Sequence, residues 1–140
     1  MKRITIYTIL ISFAIIIGSC GLKRKNPLDP QANPTIDIPK TIAELTIYTS
    51  SAGASSKYVE LRWTANPSNN TDGYYIYRSL QYYGTYTRVD TTFTNSANHG
   101  SKPWHNVRAG EYWYKVSAFK DYSAGRLEGY ACQPRWVNIP

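Results

Sequence analysis

Cysteine, histidine and methionine are scarce in this chain of 140 residues, which contains two, two and one of them respectively. The cysteines, Cys20 and Cys132, leave no disulfide pair within a folded domain. His99 and His105 stand six residues apart in an irregular segment without a cysteine or carboxylate between them, a poor pattern for a metal site. No G-x-S-x-G nucleophile turn occurs, and the nine acidic residues are scattered. The sequence therefore predicts no catalytic residues, no metal and no cofactor, and we expect a protein that is not an enzyme.

A concentrated basic surface is also missing, although the formal net charge is +7. Removing residues 1–19 takes away Lys2 and Arg3 and leaves 14 basic and 9 acidic residues. Apart from residues 23–25 (Lys-Arg-Lys), the cations are dispersed, which argues against a nucleic-acid interface. The basic run is better suited to a membrane surface that carries anionic lipid.

Aromatic residues are abundant, with 13 tyrosines and 4 tryptophans. Together with threonine, valine and isoleucine, these residues favour half-buried β-strands. The hydrophobic and charged fractions, 42% and 18%, are typical of a folded chain, and the length suits one domain. Because no segment after residue 25 carries a helical stripe of apolar residues, we expect an all-β fold.

The longest hydrophobic segment lies at the N-terminus, after Lys2 and Arg3. Residues 4–22 are uncharged, and small residues follow the apolar part. This order is typical of a secretory signal peptide, here residues 1–19. An uncleaved transmembrane anchor is the alternative, since 19 uncharged residues are just long enough to span a bilayer.

The end of that segment, Ile17-Gly18-Ser19-Cys20, resembles the lipobox of bacterial lipoproteins. The resemblance implies that diacylglycerol is attached to the Cys20 thiol, that cleavage precedes Cys20, and that two or three fatty acyl chains such as palmitate anchor the protein. It further implies a place in the bacterial cell envelope, facing the periplasm or the exterior. The outer membrane is favoured, because Gly21 is not the aspartate that retains lipoproteins in the inner membrane of some enterobacteria.

A proline-rich segment follows the cysteine. Half of the eight prolines of the chain lie between residues 27 and 39. Such spacing favours extended polyproline-type chain of about 3.1 Å per residue, so that a tether over residues 20–38 would extend up to about 55 Å. We expect an extended linker between the lipid and a domain at residues 39–140.

That domain is predicted from short runs of alternating apolar and polar residues separated by turns, which is typical of a β-sandwich. In "YVELRWTA", Val59, Leu61 and Trp63 alternate with polar residues, and in "GYYIYRS" Tyr74 and Ile76 alternate with Tyr75 and Tyr77. The other predicted strands are "AELTIYT", "GTYTRVDTT", "EYWYKVSAF" and a last run over residues 130–139 that Pro134 interrupts. Residues 93–106 are too irregular to define strand limits.

The order of "VELRW", "GYYIYRS", "GTYTRVD" and "AGEYWYKVSA" resembles a fibronectin type III domain, a seven-stranded immunoglobulin-like sandwich. The resemblance implies that Trp63 fills the core between two sheets and that the Tyr112 hydroxyl bonds back to upstream backbone, the tyrosine corner. The core residues that we expect are Trp63, Tyr112, Leu61, Ile76, Tyr114 and Val116. The tripeptide Arg-Gly-Asp, which some members use to bind integrins, is absent from "DYSAGRLEG".

One group of residues is a candidate binding site. If the third and sixth strands pair, as the resemblance implies, Tyr75, Tyr77 and Trp113 share an outward face that Tyr82 and Tyr83 extend. Exposed rings stack on sugars or anchor a protein partner. The simpler interpretation is that these rings are cross-strand pairs that stabilise the sheet.

The sequence thus favours a membrane-anchored binding or adhesion module for a protein or a glycan. The alternative is a structural spacer or an accessory subunit of an envelope assembly. For Cys132, a buried position in the last strand is favoured over intermolecular pairing.

Overall fold

The computed structural model describes residues 26–93, 104–105 and 107–140. The predicted signal peptide, Cys20 and His99 lie outside the described residues. The described part is all-β and contains eight strands: β1 (Ala43–Thr49), β2 (Tyr58–Thr64), β3 (Gly73–Ser79), β4 (Thr87–Thr92), β5 (Trp104–His105), β6 (Gly110–Tyr122), β7 (Gly125–Glu128) and β8 (Arg135–Ile139).

The strands form two antiparallel sheets. One sheet has the order β1-β2-β5, and the other has the order β4-β3-β6, with β7 and β8 both paired to the free edge of β6. The pairing of β3 with β6 extends from Gly73 opposite Phe119 to Ser79 opposite Trp113. Because side chains alternate between faces, this register places Tyr75, Tyr77 and Trp113 on the same outer face of the sheet.

The number of strands differs from the seven that the sequence predicts. Strand β7 lies before the predicted final run over residues 130–139, in a segment where the sequence predicts no strand, and within that run only β8 is a strand. Pro134 stands immediately before β8 and has no amide hydrogen to donate to a neighbouring strand. Between the two strands, the amides of Gly129 and Cys132 donate to the carbonyl oxygens of Ala118 and Val116, so the chain still follows β6.

The core lies between the sheets. The predicted core residues Leu61, Ile76 and Val116 are fully buried, and Tyr114 and Trp63 are 1% and 4% exposed. The Trp63 ring meets the Tyr74 ring edge to face across the core, with 5.1 Å between centroids. Side chains from both sheets therefore form one continuous core, as in a sandwich.

Tyr112 packs at the border of this core and is partly buried. Its hydroxyl donates a hydrogen bond of 3.2 Å to the carbonyl oxygen of Arg108, four residues upstream. The Arg78 guanidinium lies 5.0 Å from the centre of the same ring. The ring and hydroxyl of Tyr112 thus tie the segment before β6 to the strand.

Residues 26–42, which we call the strap, are not an extended linker. The chain forms consecutive turns here, with hydrogen bonds from the amides of Asp29, Asn33 and Ile36 to carbonyl oxygens three or four residues before each. The side chain of Asn26 accepts from the Leu28 amide, and the side chain of Asp29 accepts from the Gln31 amide. Asn and Asp side chains favour such turns, and here they outweigh the extended preference of the prolines. Packing begins upstream of residue 39, since Ile36 is only 6% exposed.

The two ends of the sandwich differ. The loop 65–72 between β2 and β3 and the turn 123–124 between β6 and β7 lie at one end, which we call the strap end because the strap packs there. The loop 50–57 between β1 and β2 and the loop 80–86 between β3 and β4 lie at the opposite end, which we call the far end. This division follows from the antiparallel registers.

Candidate functional site

The outer face of the larger sheet carries aromatic side chains in successive rows across the strands. Trp113 on β6 stands opposite Trp136 on β8, and both lie on the face away from the core. One row further along, Tyr77 stands opposite Lys115, and the next row pairs Tyr75 with Ser117. The rows near the far end and those near the strap end differ in exposure, which divides the face into two parts.

Near the far end, four rings form a surface that we call the aromatic patch: Tyr82, Tyr83, Trp113 and Trp136. The ring of Tyr82 meets the ring of Trp113 edge to face, with 4.9 Å between centroids, and meets that of Tyr83 in the same way at 4.6 Å. Tyr82, Trp136 and Tyr83 are 37%, 51% and 95% exposed. Trp113 is partly buried among them. The patch therefore exposes aromatic surface to solvent, while the ring of Tyr82 contacts those of Tyr83 and Trp113.

Polar contacts with neighbouring residues hold the loop that carries Tyr82 and Tyr83. The Tyr82 hydroxyl donates to Oε1 of Gln133 over 3.3 Å, which ties the loop 80–86 to the segment before β8. The Tyr86 hydroxyl donates to the carbonyl oxygen of Tyr82 over 3.1 Å. The ammonium of Lys115 lies 4.2 Å from the centre of the Tyr86 ring and 5.8 Å from that of Tyr77. A cation and an amide thus border the exposed rings.

Tyr75 does not contribute to the exposed surface that the sequence predicts. Its side chain is 7% exposed, and its ring packs on Phe119 with 4.7 Å between centroids. The Arg88 guanidinium covers the ring at 4.5 Å, and Nη1 of Arg126 donates to the Tyr75 hydroxyl over 3.1 Å. Tyr75 lies on the predicted face but forms part of a second packed layer outside the sheet. We call this layer the covered cluster: the buried rings of Tyr75 and Phe119 and the guanidinium groups of Arg88 and Arg126 that cover them.

Arg126 is the centre of the covered cluster. Its guanidinium lies 4.0 Å from the centre of the Phe119 ring and 5.5 Å from that of Phe93. Nε and Nη2 donate to the two carboxylate oxygens of Asp121 over 2.6 and 2.8 Å. These hydrogen bonds hold the pKa of the Asp121 carboxyl below its usual value. The bidentate contact fixes the plane of the guanidinium over the rings.

Tyr77 lies between the two parts of the face and is partly buried. Its hydroxyl donates to Oε1 of Glu128 over 2.6 Å. Burial, and then the hydrogen bond to the Glu128 carboxylate, raise the pKa of Tyr77 to about 12. The Tyr77 hydroxyl is therefore committed to an internal contact and is not free to meet a ligand.

Three residues of this surface do not follow from the sequence interpretation: Trp136, Lys115 and Gln133. A signal for Trp136 was present, because Val137 and Ile139 alternate with it and both are buried. Pro134, in the middle of residues 130–139, obscures that short alternation. Lys115 and Gln133 carry no comparable signal, since their positions depend on strand pairing.

Of the remaining predicted residues, Cys132 is a buried free thiol with 8% exposure. Burial raises its pKa. Within residues 26–93 and 107–140, no three His, Cys, Asp or Glu side chains stand close enough together to hold a metal ion. The same part of the chain contains no helix with the length and apolar character needed to cross a membrane.

Comparisons with known proteins add no identity: no protein-family model matches the chain, and a search of curated proteins finds no significant match.

Proposed function

We propose that the chain is a lipid-anchored cell-envelope protein whose fibronectin type III-like domain binds a polysaccharide through the aromatic patch. The observation that carries the proposal is the exposure of Trp136 and Tyr83, 51% and 95%. The Tyr83 ring meets that of Tyr82 edge to face, and Trp136 stands opposite Trp113 in the sheet. Exposed and preorganised rings offer flat apolar area to a sugar at little cost in conformational entropy. The borders of the patch supply hydrogen-bonding groups, among them Gln133 and Lys115.

The type III assignment has support from three features of the described residues. Strands β3 and β6 pair, as the resemblance implies. Trp63 lies in the core between the sheets. The Tyr112 hydroxyl donates to the backbone of Arg108, the contact of a tyrosine corner.

Anchoring rests on the lipobox-like sequence that ends at Cys20. A single acyl chain binds a membrane only weakly, whereas two or three chains hold a protein stably. Mass spectrometry of the mature N-terminus tests this part directly. An acylated Cys20 as the first residue supports anchoring, and an unmodified thiol in a chain that begins at Met1 contradicts it.

Binding is tested with the detergent-solubilised mature protein on insoluble peptidoglycan, immobilised lipopolysaccharide and neutral β-glucans. We expect one of these to retain the wild type, and the double variant Tyr82→Ser/Trp136→Ser to bind about tenfold or more weakly, because buried aromatic anchors dominate binding energies. Tyr48→Ser is the matched control, since Tyr48 is 46% exposed but lies on the other sheet. The proposal is contradicted if the double variant is retained as well as the Tyr48→Ser control. It is also contradicted if none of the polysaccharides retains the wild type.

A second candidate is an accessory or spacer subunit of an envelope assembly. Leu80 is 73% exposed in the loop that carries Tyr82 and Tyr83, and aliphatic area of this kind favours a protein partner. Copurification of a fixed set of envelope proteins after mild solubilisation, lost in Leu80→Ser/Tyr83→Ser, would favour this function over glycan binding.

A further inference from the structure

The long-range hydrogen bonds described for the strap all go to residues at one end of the sandwich. The Tyr122 hydroxyl, at the end of β6, both accepts from the Asp37 amide over 3.0 Å and donates to the Asp37 carbonyl oxygen over 2.8 Å. The Lys40 amide donates to Oδ1 of Asn70, and Nδ2 of Asn66 donates to the Lys40 carbonyl oxygen over 2.6 Å. All three partners of the strap belong to the strap end.

The strap is also packed too closely to be a loose connection. Pro39 is fully buried, and its carbonyl oxygen would lie 2.1 Å from a Cβ placed on Gly129. Nearer the N-terminus, Cδ1 of Leu28 would lie 3.5 Å from a Cβ placed on Gly125, the first residue of β7. The strap is therefore in contact with the strap end from Leu28 onward.

We propose that the strap orients the domain, so that the strap end faces the bilayer and the aromatic patch is presented away from it. This inference rests on the proposed lipid attachment at Cys20. Asn26 is six residues after Cys20. Even when fully extended, six residues span no more than about 20 Å. The 13 residues of β6 extend over about 40 Å at 3.4 Å per residue. An inverted domain would lift Asn26 about 40 Å from the bilayer, farther than the intervening chain reaches.

The consequence for the aromatic patch follows from β6 alone. Trp113 lies nine residues before Tyr122, so the patch stands about 30 Å farther from the strap end along the strand. At the strap end itself, Ile38 and Phe93 are 44% and 69% exposed. Apolar side chains at this end suit contact with the interfacial region of a bilayer.

The test uses the full lipidated protein in vesicles whose headgroups carry an energy-transfer acceptor. Ser123→Cys places a donor dye at the strap end and Ser55→Cys places it at the far end; both serines are exposed, and Cys132 is buried and does not compete for the dye. We expect transfer from position 123 to exceed transfer from position 55 by several fold. Ile36→Asp places a charge at a buried position of the strap and should reduce this ratio toward one. Tyr122→Phe, which removes only the hydroxyl that bonds to Asp37, should also reduce the ratio and leaves the core intact.

The possible results separate the two proposals. Protein that does not float with the vesicles refutes the anchoring and this inference with it. Protein that floats but transfers energy equally from both positions, or more from position 55, refutes the orientation and leaves the anchoring standing. A ratio that Tyr122→Phe and Ile36→Asp both leave unchanged shows that the strap does not set the orientation.

Discussion

Replacement of Tyr75 by alanine is the most informative test of packing on the outer face of the sheet. Removing a buried aromatic ring from a core costs about 3–5 kcal/mol. Tyr75 is 7% exposed, contacts the Phe119 ring at 4.7 Å and is covered by two guanidinium groups. The site is at the surface of the domain and can partly collapse, so we expect a loss of about 3 kcal/mol in the free energy of unfolding.

Tyr75→Phe is the matched control. It keeps the ring and loses only the hydrogen bond from Nη1 of Arg126, while Arg126 retains Asp121 and the face of Phe119. We expect a loss of about 1 kcal/mol. Urea unfolding of the domain, followed by tryptophan fluorescence, measures both values, with an unchanged slope against urea as the sign of a pure stability effect.

The outcome for Tyr75→Ala has a clear threshold. A domain of this size is stable by about 5–15 kcal/mol, so a loss of about 3 kcal/mol is easily measured. A loss below about 1 kcal/mol would match an exposed ring. That result would refute the covered cluster and return Tyr75 to the binding surface.

Three further predictions concern single groups. The pKa of Tyr77 is raised to about 12, so between pH 10 and 12 the folded chain keeps a proton that the unfolded chain loses. The free energy of unfolding should therefore fall as the pH rises through that window, and it should fall less in Tyr77→Phe. Cys132 should react with a thiol reagent only after denaturation, since burial both covers its sulfur and raises its pKa, and rapid reaction of the native protein would be inconsistent with the fold. Tyr112→Phe should lower the free energy of unfolding by about 1 kcal/mol through loss of the hydrogen bond to Arg108, and an unchanged urea midpoint would show that this contact is not formed in solution.

Much of the fold could be predicted from the sequence, because alternation directly reports which face of a strand is buried. Leu61 and Trp63 in β2, and Ile76 in β3, alternate with polar or aromatic neighbours and are buried as expected. The same pattern assigned Tyr75 and Tyr77 to the outer face, and the pairing of β3 with β6 places them there. Local periodicity was sufficient for these residues.

Exposure on the outer face could not be predicted, because it depends on residues distant in sequence. Arg126 and Phe119 are more than 40 positions away from Tyr75, and they cover it only after β3, β6 and β7 have paired. Trp136 joins Trp113 for the same reason, since the register of β8 on β6 decides which rings are neighbours. Alternation identifies a face, but not what lies on top of it.

The strap shows a second limit of sequence interpretation. Proline spacing indicated an extended tether, yet Asn26 and Asp29 accept backbone hydrogen bonds that form turns. The decisive contact, between Asp37 and Tyr122, joins residues 85 positions apart. Local turns at Asn and Asp, together with long-range contacts to the strap end, thus outweigh the extended preference of the prolines.

Whether the aromatic patch is a binding surface can be read from the indole N–H signals of the tryptophans in a ¹⁵N-labelled sample. Each signal is assigned with a Trp→Phe variant, and the protein is titrated with soluble oligosaccharides from the polysaccharide that retains it. We expect saturable shifts of the signals of Trp113 and Trp136, and no shift of the signal of Trp63, which is 4% exposed in the core. Unchanged signals for Trp113 and Trp136 throughout the titration would contradict this expectation.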